Sequence, residues 1–598
     1  MAETPDNQLD WSEPGAPRSR RFGDVYYALE DGLAESRAVF LAGCGLPDAW
    51  AGRAHFTVAE LGFGTGLNIA ALLHLWRESG ASGRLHIFSI EGFPVAREDA
   101  ARALSAWPEI ADAARALLDR WPLATPGFHR VDLPEWNATF DLAVGDAAWA
   151  LDQWSGAADA WFLDGFSPAL NPDMWSDAVL DGVAARSAPG ARLGTFTVAG
   201  AVRRGLAERG FQVDKRPGHG RKRERLEAIL PGAATDRATD AVRGRVAIIG
   251  AGVAGASLAR ALGAQGVEVV VIADGGPAAS GFPAALVTPR MDVGDTVLAG
   301  LFAQALERAG RLYGGVDAAV ISRGVLKLEH GPRDAARFDK VAAQALWAPG
   351  EMKRLDAVEV SQRVGEPLGQ GGLLMAGAMS VRPSAILEAW LDGVRRIGGS
   401  VARLERRGGV WRVLDSAANV LVEAEAVVLA AGWGASGLGA PDLRPVRGQA
   451  SWARLDNGPA SGVTWGGYVA PTGDGVLFGA THDRDETDTG VRGDDLRRNL
   501  ETLGAVLPAL AERIASLQVR SGAATRAVTP DRLPLAGRLD EGLFILGGLG
   551  SRGFAVAPLL ADHVASLITG TPSPLPKASA LRVGPDRVAI RRRPADQP

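Results

Sequence analysis

Two stretches of the chain share one pattern of apolar and polar positions. Residues 56–61 and 245–249 are short, mostly apolar runs, and each leads into a glycine-rich turn followed by apolar residues at helical spacing. Further along both halves, apolar runs rich in β-branched residues alternate with helical stretches, which predicts parallel sheets covered by helices. We therefore expect two α/β domains, each beginning with a strand, a turn and a helix.

The stretch between the two patterns has the composition of a linker. Residues 231–240 are small or polar and lack apolar periodicity. The predicted division is a first domain over residues 1–236, a linker over 237–243 and a second domain over 244–598. A chain of 598 residues is long enough for at least two cores, since a typical domain has about 100–200 residues.

The composition excludes several classes of protein. Hydrophobic residues make up 47% and charged residues 22%, as is typical of folded globular proteins. The single cysteine, Cys44, excludes an internal disulfide and a cysteine-cluster metal site, and no metal site is predicted. Because the N-terminus is polar and no run of about 18 apolar residues occurs, we expect a cytoplasmic protein without a membrane segment.

Charge gives a weaker signal. The net charge of −5 does not favour nucleic acid, so local clusters of basic residues must be considered instead. One cluster lies within residues 215–225 and another within 587–593. Each cluster is either a solvated surface or a track for phosphates, and taken alone each favours the solvated surface.

Several candidate ligand-binding residues of the first half lie where predicted strands end. They are Glu60, Gly62, Gly64, Gly66, Glu91, Asp146 and Asp164. Glycines let a backbone approach a nucleoside closely, and the carboxyl ends of parallel strands are where an open α/β sheet binds its ligand. The ordered set resembles the Rossmann-like methyltransferase pattern, in which these positions hold methionine, ribose, adenine and the reacting group. A nicotinamide-binding domain shares such glycine turns and stays open as an alternative.

The segment 164–175 carries the most specific signal of the first half. Its sequence, DGFSPALNPDMW, resembles the signature of the bifunctional tRNA 5-methylaminomethyl-2-thiouridine biosynthesis family, and segments 24–27, 91–94 and 218–224 resemble that family too. The resemblance implies S-adenosylmethionine as a cofactor. It also implies methylation of the primary amine of an aminomethyl group on a wobble uridine of tRNA.

Asp164 is the candidate catalytic residue of this half. An alkylammonium has no lone pair, so a carboxylate must orient the amine and accept its proton before methyl transfer. The alternative is that Asp164 only caps the following turn. Phe166 and Trp175 are candidates to stack on a flipped uridine, or else they belong to the core. The candidate contacts to tRNA phosphates are Arg221, Lys222 and Arg223.

The second glycine turn, with Gly250, Gly252 and Gly255, follows a strand and opens a helix. In this context the N-terminus of the helix can hold a pyrophosphate. Flavoenzymes of the D-amino-acid oxidase and glycine oxidase type place an acid for the ribose at the end of the second strand. The corresponding position here is Ala273, so we assign this contact to the next residue, Asp274.

Distant segments strengthen the similarity to these flavoenzymes. Residues 427–432, 525–537 and 543–554 resemble the parts of that class that return to the dinucleotide and close over flavin and substrate. The resemblance implies an FAD-binding Rossmann domain with a D-amino-acid-oxidase-like substrate domain. The further predicted contacts to FAD are Gly432, Gly550, Ser551 and Gly553.

Arg526 and Arg552 are the candidates to bind a substrate carboxylate, because a guanidinium fork matches a carboxylate in a way that lysine cannot reproduce. The alternative is that both arginines are structural. The family resemblance implies a fitting substrate, a carboxymethylaminomethyl uridine with a glycine-like secondary amine. Hydride transfer to flavin from the carbon beside nitrogen gives an imine, and hydrolysis leaves the primary amine that the first half methylates.

Two other classes of protein stay open. One is a methyltransferase fused to a free-glycine or sarcosine oxidase that needs no RNA, against which we weigh the basic segment 220–224. The other is a nucleotide-binding scaffold without turnover, for which Ala273 is the only damaged motif position. We expect a monomer that acts on tRNA and binds neither DNA nor a membrane.

Overall fold

A computed structural model describes residues 9–11, 16–28, 30–220, 222–233, 242, 244–276 and 278–590. By contacts between residues the chain divides into two compact units. The first consists of Met1–Ala241 and Gly570–Lys577, and the second of Val242–Thr569 and Ala578–Pro598. Most of the predicted linker lies outside the described residues, and the predicted domain boundaries stay a prediction.

The first unit contains an eight-stranded sheet whose five central strands are parallel and whose outer strands are antiparallel. In spatial order, the strands are Gly127–Leu133, Ala138–Val144, Arg84–Glu91, His55–Leu61, Ala158–Leu163, Ser187–Thr195, Glu224–Ile229 and Gln212–Pro217. A separate antiparallel pair joins Leu9–Asp10 and Arg18–Ser19.

The central strands are apolar on both faces because each face carries its own core. Along His55–Leu61, Phe56 and Val58 pack into one hydrophobic cluster, whereas Ala59 and Leu61 pack into another. The α-helices of this unit are Gly32–Ser36, Leu67–Glu78, Arg97–Leu104, Ala111–Leu118, Ala147–Gln153, Asp177–Ala185 and Gly200–Glu208. Shorter helical turns are Arg37–Ala42, Asp48–Trp50, Pro108–Ile110, Pro134–Trp136 and Pro172–Trp175.

Residues 570–577 belong to the first unit although they follow the second glycine turn by more than half the chain. Arg130 forms a bidentate pair with Asp141 at 2.8 and 2.7 Å, and the same guanidinium donates to the carbonyl oxygen of Pro572 at 2.8 Å. Leu575 is fully buried. The predicted division had assigned this segment to the second domain.

The second unit has a six-stranded sheet that is parallel except for its last strand. Its strands, in order, are Arg395–Gly398, Val269–Ala273, Val246–Ile249, Ala426–Leu429, Leu543–Gly547 and Leu535–Asp540. A three-stranded sheet consists of Arg403–Arg407, Val410–Leu414 and Val420–Ala424.

A ten-stranded, mostly antiparallel sheet forms the rest of this unit. Its main path is Ala285–Val287, Gly372–Val381, Val320–Leu328, Gly462–Thr464, Tyr468–Pro471, Gly475–Gly479, Arg444–Arg454 and Asp483–Arg484. Met352–Leu355 pairs with Gly372–Val381, and Arg520–Val528 pairs with Arg444–Arg454.

The α-helices beyond residue 242 are Val253–Gly263, Thr296–Gly314, Asp334–Ala342, Ala357–Val364, Pro383–Leu391, Gly493–Gly504, Pro508–Ala515, Gly553–Thr569, Lys577–Val583 and Asp586–Ile590. Two 3₁₀ turns are Gly432–Leu438 and Gly550–Arg552. No helix within the described ranges is long and apolar enough to cross a membrane.

A buried ionic contact holds the helix Val253–Gly263, which begins at the second glycine turn. Asp562, on Gly553–Thr569, pairs with Arg260 of that helix and with the Nε of Arg308 at 2.7 Å. All three side chains are largely buried, so the two arginines compensate the charge that burial would otherwise disfavour. The helix N-terminus that faces the predicted cofactor is thereby held in place.

Candidate active sites

The glycine turn of the first unit is shaped by close contacts. Gly62 has a φ of +85°, and a Cβ there would lie 3.1 Å from the carbonyl oxygen of Asp164. Gly64 has a φ of +51°, and a Cβ there would lie 3.0 Å from the Tyr26 ring. Gly66, with a φ of +78°, precedes the helix Leu67–Glu78. Side chains at these positions would be strained, so the tight turn after this strand requires glycine.

Glu91 connects the next strand to this turn. Its carboxylate accepts a hydrogen bond from the amide of Gly64 at 2.9 Å and another from the amide of Phe93 at 2.8 Å. Burial raises the pKa of this carboxyl group. Since a carboxylate has about four acceptor positions, acceptor capacity remains for the ribose hydroxyls that the sequence assigns to it.

Asp146 follows the strand Ala138–Val144 and caps the helix Ala147–Gln153. Its carboxylate accepts a hydrogen bond from the amide of Trp149 at 2.9 Å. The Trp149 ring covers Gly145, where a Cβ would lie 3.0 Å from the indole. The cap and the aromatic side chain thus stand at the sheet edge where the sequence places the adenine.

Asp164 is held by two donors. The amide of Gly165 donates to one carboxylate oxygen at 2.8 Å, and the Nδ2 of Asn68 donates to the other at 2.7 Å. Asn68 was not singled out from sequence; its only signal is a polar residue in an otherwise apolar helical turn after the glycines. Its Nδ2 also donates to Glu60 at 3.0 Å, so this amide nitrogen bridges two carboxyl groups.

The two carboxyl groups have unusual proton affinities. Burial raises the pKa of Asp164 to about 7, although its hydrogen bonds from Gly165 and Asn68 oppose the change. Burial likewise raises the pKa of Glu60 to about 8. Glu60 is fully buried and accepts a bond from Ser89 at 2.5 Å. Asp164 therefore titrates near neutral pH, as a general base should. Glu60 is linked to it through the amide nitrogen of Asn68, which donates to both carboxyl groups.

The loop after Asp164 is anchored from two sides. The amide of Ser167 donates to Asp24 at 3.0 Å, and the indole of Trp175 donates to the carbonyl of Phe166 at 3.0 Å. Trp175 is only 8% exposed and belongs to the core, a location that favours the structural alternative for its role. The half-buried Phe166 ring lies nearer the surface, so stacking stays a prediction for it.

Lys222 acts electrostatically on Asp164, an effect that the sequence did not indicate. Its ammonium is 2.7 Å from Glu35 and 4.1 Å from the centre of the Phe196 ring. Glu35 raises the pKa of Asp164 and Lys222 lowers it. Arg223 is exposed. The third predicted phosphate contact, Arg221, lies outside the described residues.

In the second unit, the second glycine turn likewise has no room for side chains. A Cβ on Gly250, which has a φ of +112°, would lie 2.4 Å from the carbonyl oxygen of Ala430. A Cβ on Gly255 would lie 1.8 Å from the carbonyl oxygen of Gly250. Gly252 precedes the helix Val253–Gly263, whose first amide donates to Ser280 at 3.0 Å. The helix start and strand ends therefore meet as a pyrophosphate site requires.

A cavity of about 1040 Å³ extends from this turn through the second unit. Its size is at the upper end of ligand pockets, as an extended dinucleotide demands. Predicted residues that line it are Gly250, Gly252, Asp274, Gly432, Arg526, Gly550, Ser551, Arg552 and Gly553. Lining residues that the sequence did not single out include Lys327, Trp433 and Tyr468. Gly255 is absent from the lining because it serves the close packing of the turn.

Asp274 is a predicted FAD contact with an exposed side chain. It follows the strand Val269–Ala273, is exposed, and accepts a hydrogen bond from the amide of Gly276 at 3.1 Å. Its position on the cavity wall is compatible with the assigned ribose contact, which stays a prediction.

Arg526 and Arg552 make part of the cavity wall cationic. Burial lowers the pKa of Arg526, which lies beside Tyr468 and donates to the carbonyl of Thr481 at 3.3 Å. Burial also lowers the pKa of Arg552, and two nearby arginines add to the effect. The Nε of Arg552 is buried without a hydrogen-bond partner among the described residues. A carboxylate would satisfy that donor and relieve the repulsion between the cations.

Lys327 adds a cation that no sequence motif indicated. It lies on Val320–Leu328, lines the cavity, and has a pKa lowered by burial, with Arg337 and Arg552 contributing. A single lysine between two leucines near the end of a strand has the sequence context of an ordinary surface position. Only the folded sheet brings it beside Arg552.

Known proteins match both halves of the chain. Residues 108–231 match the family model described as S-adenosyl-L-methionine-dependent methyltransferase, and residues 245–567 match that described as FAD dependent oxidoreductase. Iminodiacetate oxidase from Chelativorans sp. BNC1 shares the fold of the second half, with a TM-score of 0.50, 24% identity, and coverage of 57% of this chain and 99% of that one. The predicted fold class and the predicted cofactors, S-adenosylmethionine and FAD, are confirmed.

Full-length relatives combine the two halves in the same order. The tRNA 5-methylaminomethyl-2-thiouridine biosynthesis bifunctional protein MnmC of Caulobacter sp. (strain K31) is 55% identical over 602 residues, which cover 99% of each chain. The protein of the same name from Maricaulis maris (strain MCS10) is 43% identical over 98% of this chain and 96% of its own. Such identity over the whole length shows that the chain belongs to the family of bifunctional tRNA 5-methylaminomethyl-2-thiouridine biosynthesis proteins.

Proposed function

We propose that the chain carries out two successive steps on the wobble uridine of tRNA. The second unit oxidatively removes the carboxymethyl group of 5-carboxymethylaminomethyl-(2-thio)uridine and releases 5-aminomethyl-(2-thio)uridine. The first unit methylates the resulting amine to give 5-methylaminomethyl-(2-thio)uridine. The observation that carries the proposal is the 55% identity to a named bifunctional relative over 99% of both chains.

In the methyl-transfer step, Asp164 accepts the proton of the substrate ammonium. A pKa of about 7 leaves a substantial fraction of the carboxyl group ionised at neutral pH and still basic enough to take a proton. Asn68 and Gly165 fix the plane of the carboxylate, because each occupies one of its oxygens. S-adenosylmethionine, when bound, supplies the electrophilic methyl group.

The cofactor of this unit is held by the edge of the sheet. The glycine turn approaches the methionine portion, Glu91 accepts the ribose hydroxyls, and Asp146 with the neighbouring Trp149 borders the adenine. The position of the glycine turn directly after the central strand His55–Leu61 supports this assignment, since the carboxyl ends of parallel strands are where an open α/β sheet binds its ligand.

In the oxidative step, Arg526 and Arg552 bind the carboxylate of the carboxymethyl group. Their lowered pKa values and the unpartnered Nε of Arg552 support this role, because both describe cations that lack a counter-charge. FAD, when bound, accepts the hydride that leaves the carbon between nitrogen and carboxylate. Water then adds to the imine carbon and the C–N bond breaks, which yields the primary amine and releases the two-carbon fragment as glyoxylate.

Analysis of tRNA nucleosides from cells that lack this chain tests the function. We expect 5-carboxymethylaminomethyl-(2-thio)uridine to accumulate and 5-methylaminomethyl-(2-thio)uridine to disappear. An unchanged nucleoside profile would reject the assignment and favour an oxidase of small amines fused to a methyltransferase. No observation on the molecule favours that alternative.

The setting of the reaction follows from its substrate. We propose that the chain acts in the cytoplasm, because mature tRNA is its substrate and its single cysteine, Cys44, is a buried thiol. We also propose that the chain is a monomer. Light scattering of the FAD-loaded chain at working concentration tests the monomer, and a mass twice that of one chain would contradict it.

A further inference from the structure

The N-terminal segment of the first unit presents basic and aromatic side chains beside the loop that carries Asp164. Arg20 and Arg21 are exposed, and Phe22 is half-buried. The Phe22 ring centre lies 4.9 Å from that of Phe166, two residues beyond Asp164. The segment is thus fixed at the methyl-transfer site.

Phe93 extends the same surface toward the predicted cofactor contact Glu91. Its side chain is 37% exposed, and its ring centre lies 5.7 Å from that of Phe22. The guanidinium carbon of Arg21 lies 4.0 Å from the Phe93 ring centre and 5.7 Å from that of Phe22. We call the four residues Arg20, Arg21, Phe22 and Phe93 the aromatic–arginine platform.

The two arginines of the platform carry uncompensated charge. Neither Arg20 nor Arg21 has a carboxylate within ion-pair distance in the part of the chain that the structure describes. The hairpin of Gln212–Pro217 and Glu224–Ile229 differs, because its cations are paired internally. Those pairs are Lys215 with Glu224 at 2.7 Å, Arg216 with Asp214 at 3.1 Å and Arg225 with Glu227 at 2.6 Å.

A polyanion gains most from cations that have no other partner, since it replaces counterions rather than ion pairs. S-adenosylmethionine carries a sulfonium and an ammonium against one carboxylate, so its net positive charge does not complement the arginines. Exposed aromatic rings with a stacked guanidinium are the usual surface for bases of single-stranded RNA. The unpaired arginines and the exposed aromatic rings therefore both favour single-stranded RNA as the ligand.

We propose that the aromatic–arginine platform is the docking surface for the single-stranded nucleotides that flank the substrate uridine. Phe22 and Phe93 stack against bases, while Arg20 and Arg21 contact phosphates. The platform contributes to the electrostatic part of RNA binding, which the paired cations Lys215, Arg216 and Arg225 do not. This inference rests on the proposed function, since it names the surface by which that function selects tRNA.

Methylation kinetics of the full-length, FAD-loaded chain test the platform, with tRNA that already bears the aminomethyl group. We expect the double variant R20Q/R21Q to raise the KM for tRNA about ten-fold at physiological salt. It should also lower the log–log salt slope by about 1.4, since each contact to a single strand contributes about 0.7. The variant F93A should raise the KM for tRNA by about five-fold or more through lost stacking. Saturated kcat and the KM for S-adenosylmethionine stay within two-fold.

The matched control is K215Q/R216Q, which removes two paired cations of the hairpin and should leave both the KM for tRNA and the salt slope unchanged. A raised KM for S-adenosylmethionine in F93A or R20Q/R21Q would overturn the inference and assign the surface to the cofactor. Unchanged tRNA kinetics in R20Q/R21Q would overturn it as well. A wild-type chain unable to methylate this tRNA would reject the proposed function itself, and the inference with it.

Discussion

The site of the first unit carries carboxyl groups and that of the second carries arginines, yet burial shifts the pKa values in both. In the first unit, burial raises the pKa of Asp164 to about 7 and that of Glu60 to about 8. In the second unit, burial lowers the pKa values of Arg526 and Arg552. In each case removal from water disfavours the charged form. In the proposed function, the ammonium of one substrate supplies a counter-charge in the first site and the carboxylate of the other supplies it in the second.

The largest effect is expected from Asp164→Ala. Loss of the base should lower kcat for methyl transfer by about 10²–10⁴-fold, because Asp164 is the carboxylate proposed to take the proton. The dissociation constant for S-adenosylmethionine, measured by calorimetry, should stay within two-fold. The matched control is Asp173→Ala, which removes an exposed carboxylate from the same loop and should leave kcat unchanged. Weakened cofactor binding, with activity restored at high cofactor concentration, would move Asp164 to the cofactor site.

Substitution of Arg526 in the second unit should weaken the affinity for the substrate. Arg526→Lys keeps the charge but loses the guanidinium fork, so we expect the KM for carboxymethylaminomethyl tRNA to rise about ten-fold or more. The flavin absorbance spectrum should be retained. Arg454→Lys, an exposed position in the same unit, is the control and should be neutral. If Arg526→Lys behaved like its control, the structural alternative for this arginine would be correct.

The pH dependence of the two activities should separate them. Protonated Asp164 cannot accept a proton, so kcat/KM for methyl transfer should fall as pH drops through about 7 and level off above it. The oxidative step, assayed on the same preparation with its own tRNA, should lack this limb. A methyl-transfer profile that stays flat down to pH 5 would contradict the role of Asp164.

The smallest effect is expected from Asn68→Ala. The variant removes a hydrogen bond that favours ionised Asp164, so the pKa should rise and the acidic limb should move up by about one pH unit. Activity should recover at high pH, which distinguishes a positioning residue from a merely structural one. A uniform loss of activity at every pH would contradict this account.

The sequence predicted the parts of both sites that depend on local patterns. Strand, turn and helix follow one another within about 30 residues, so the glycine turns could be predicted from local pattern. The roles of Glu91 and Asp146 were implied by the resemblance to the methyltransferase pattern. The structure supports their placement at the sheet edge. Glu60 stands in the same motif, but cross-strand register sets it opposite Ser89, where it is buried.

The missed contributors depend on contacts between distant segments. Asp24 reaches the loop at Ser167, Glu35 pairs with Lys222, and Lys327 joins Arg552 only across the folded sheet. Glu35 and Lys327 are common polar residues whose local sequence is ordinary. Asp24 stands in the segment 24–27 that resembles the family, but the sequence assigned it no role. The placement of residues 570–577 in the first unit is likewise set by tertiary contacts that no linker composition reveals.

Nucleoside analysis of tRNA from cells that lack the chain, each supplied with one variant, tests the order of the two steps most directly. The account predicts that Asp164→Ala accumulates 5-aminomethyl-(2-thio)uridine, because oxidation proceeds and methylation stops. It predicts that Arg526→Ala accumulates 5-carboxymethylaminomethyl-(2-thio)uridine, because the first step is blocked. The same nucleoside in both strains, or a profile identical to that of the wild type, would contradict two sites acting in succession.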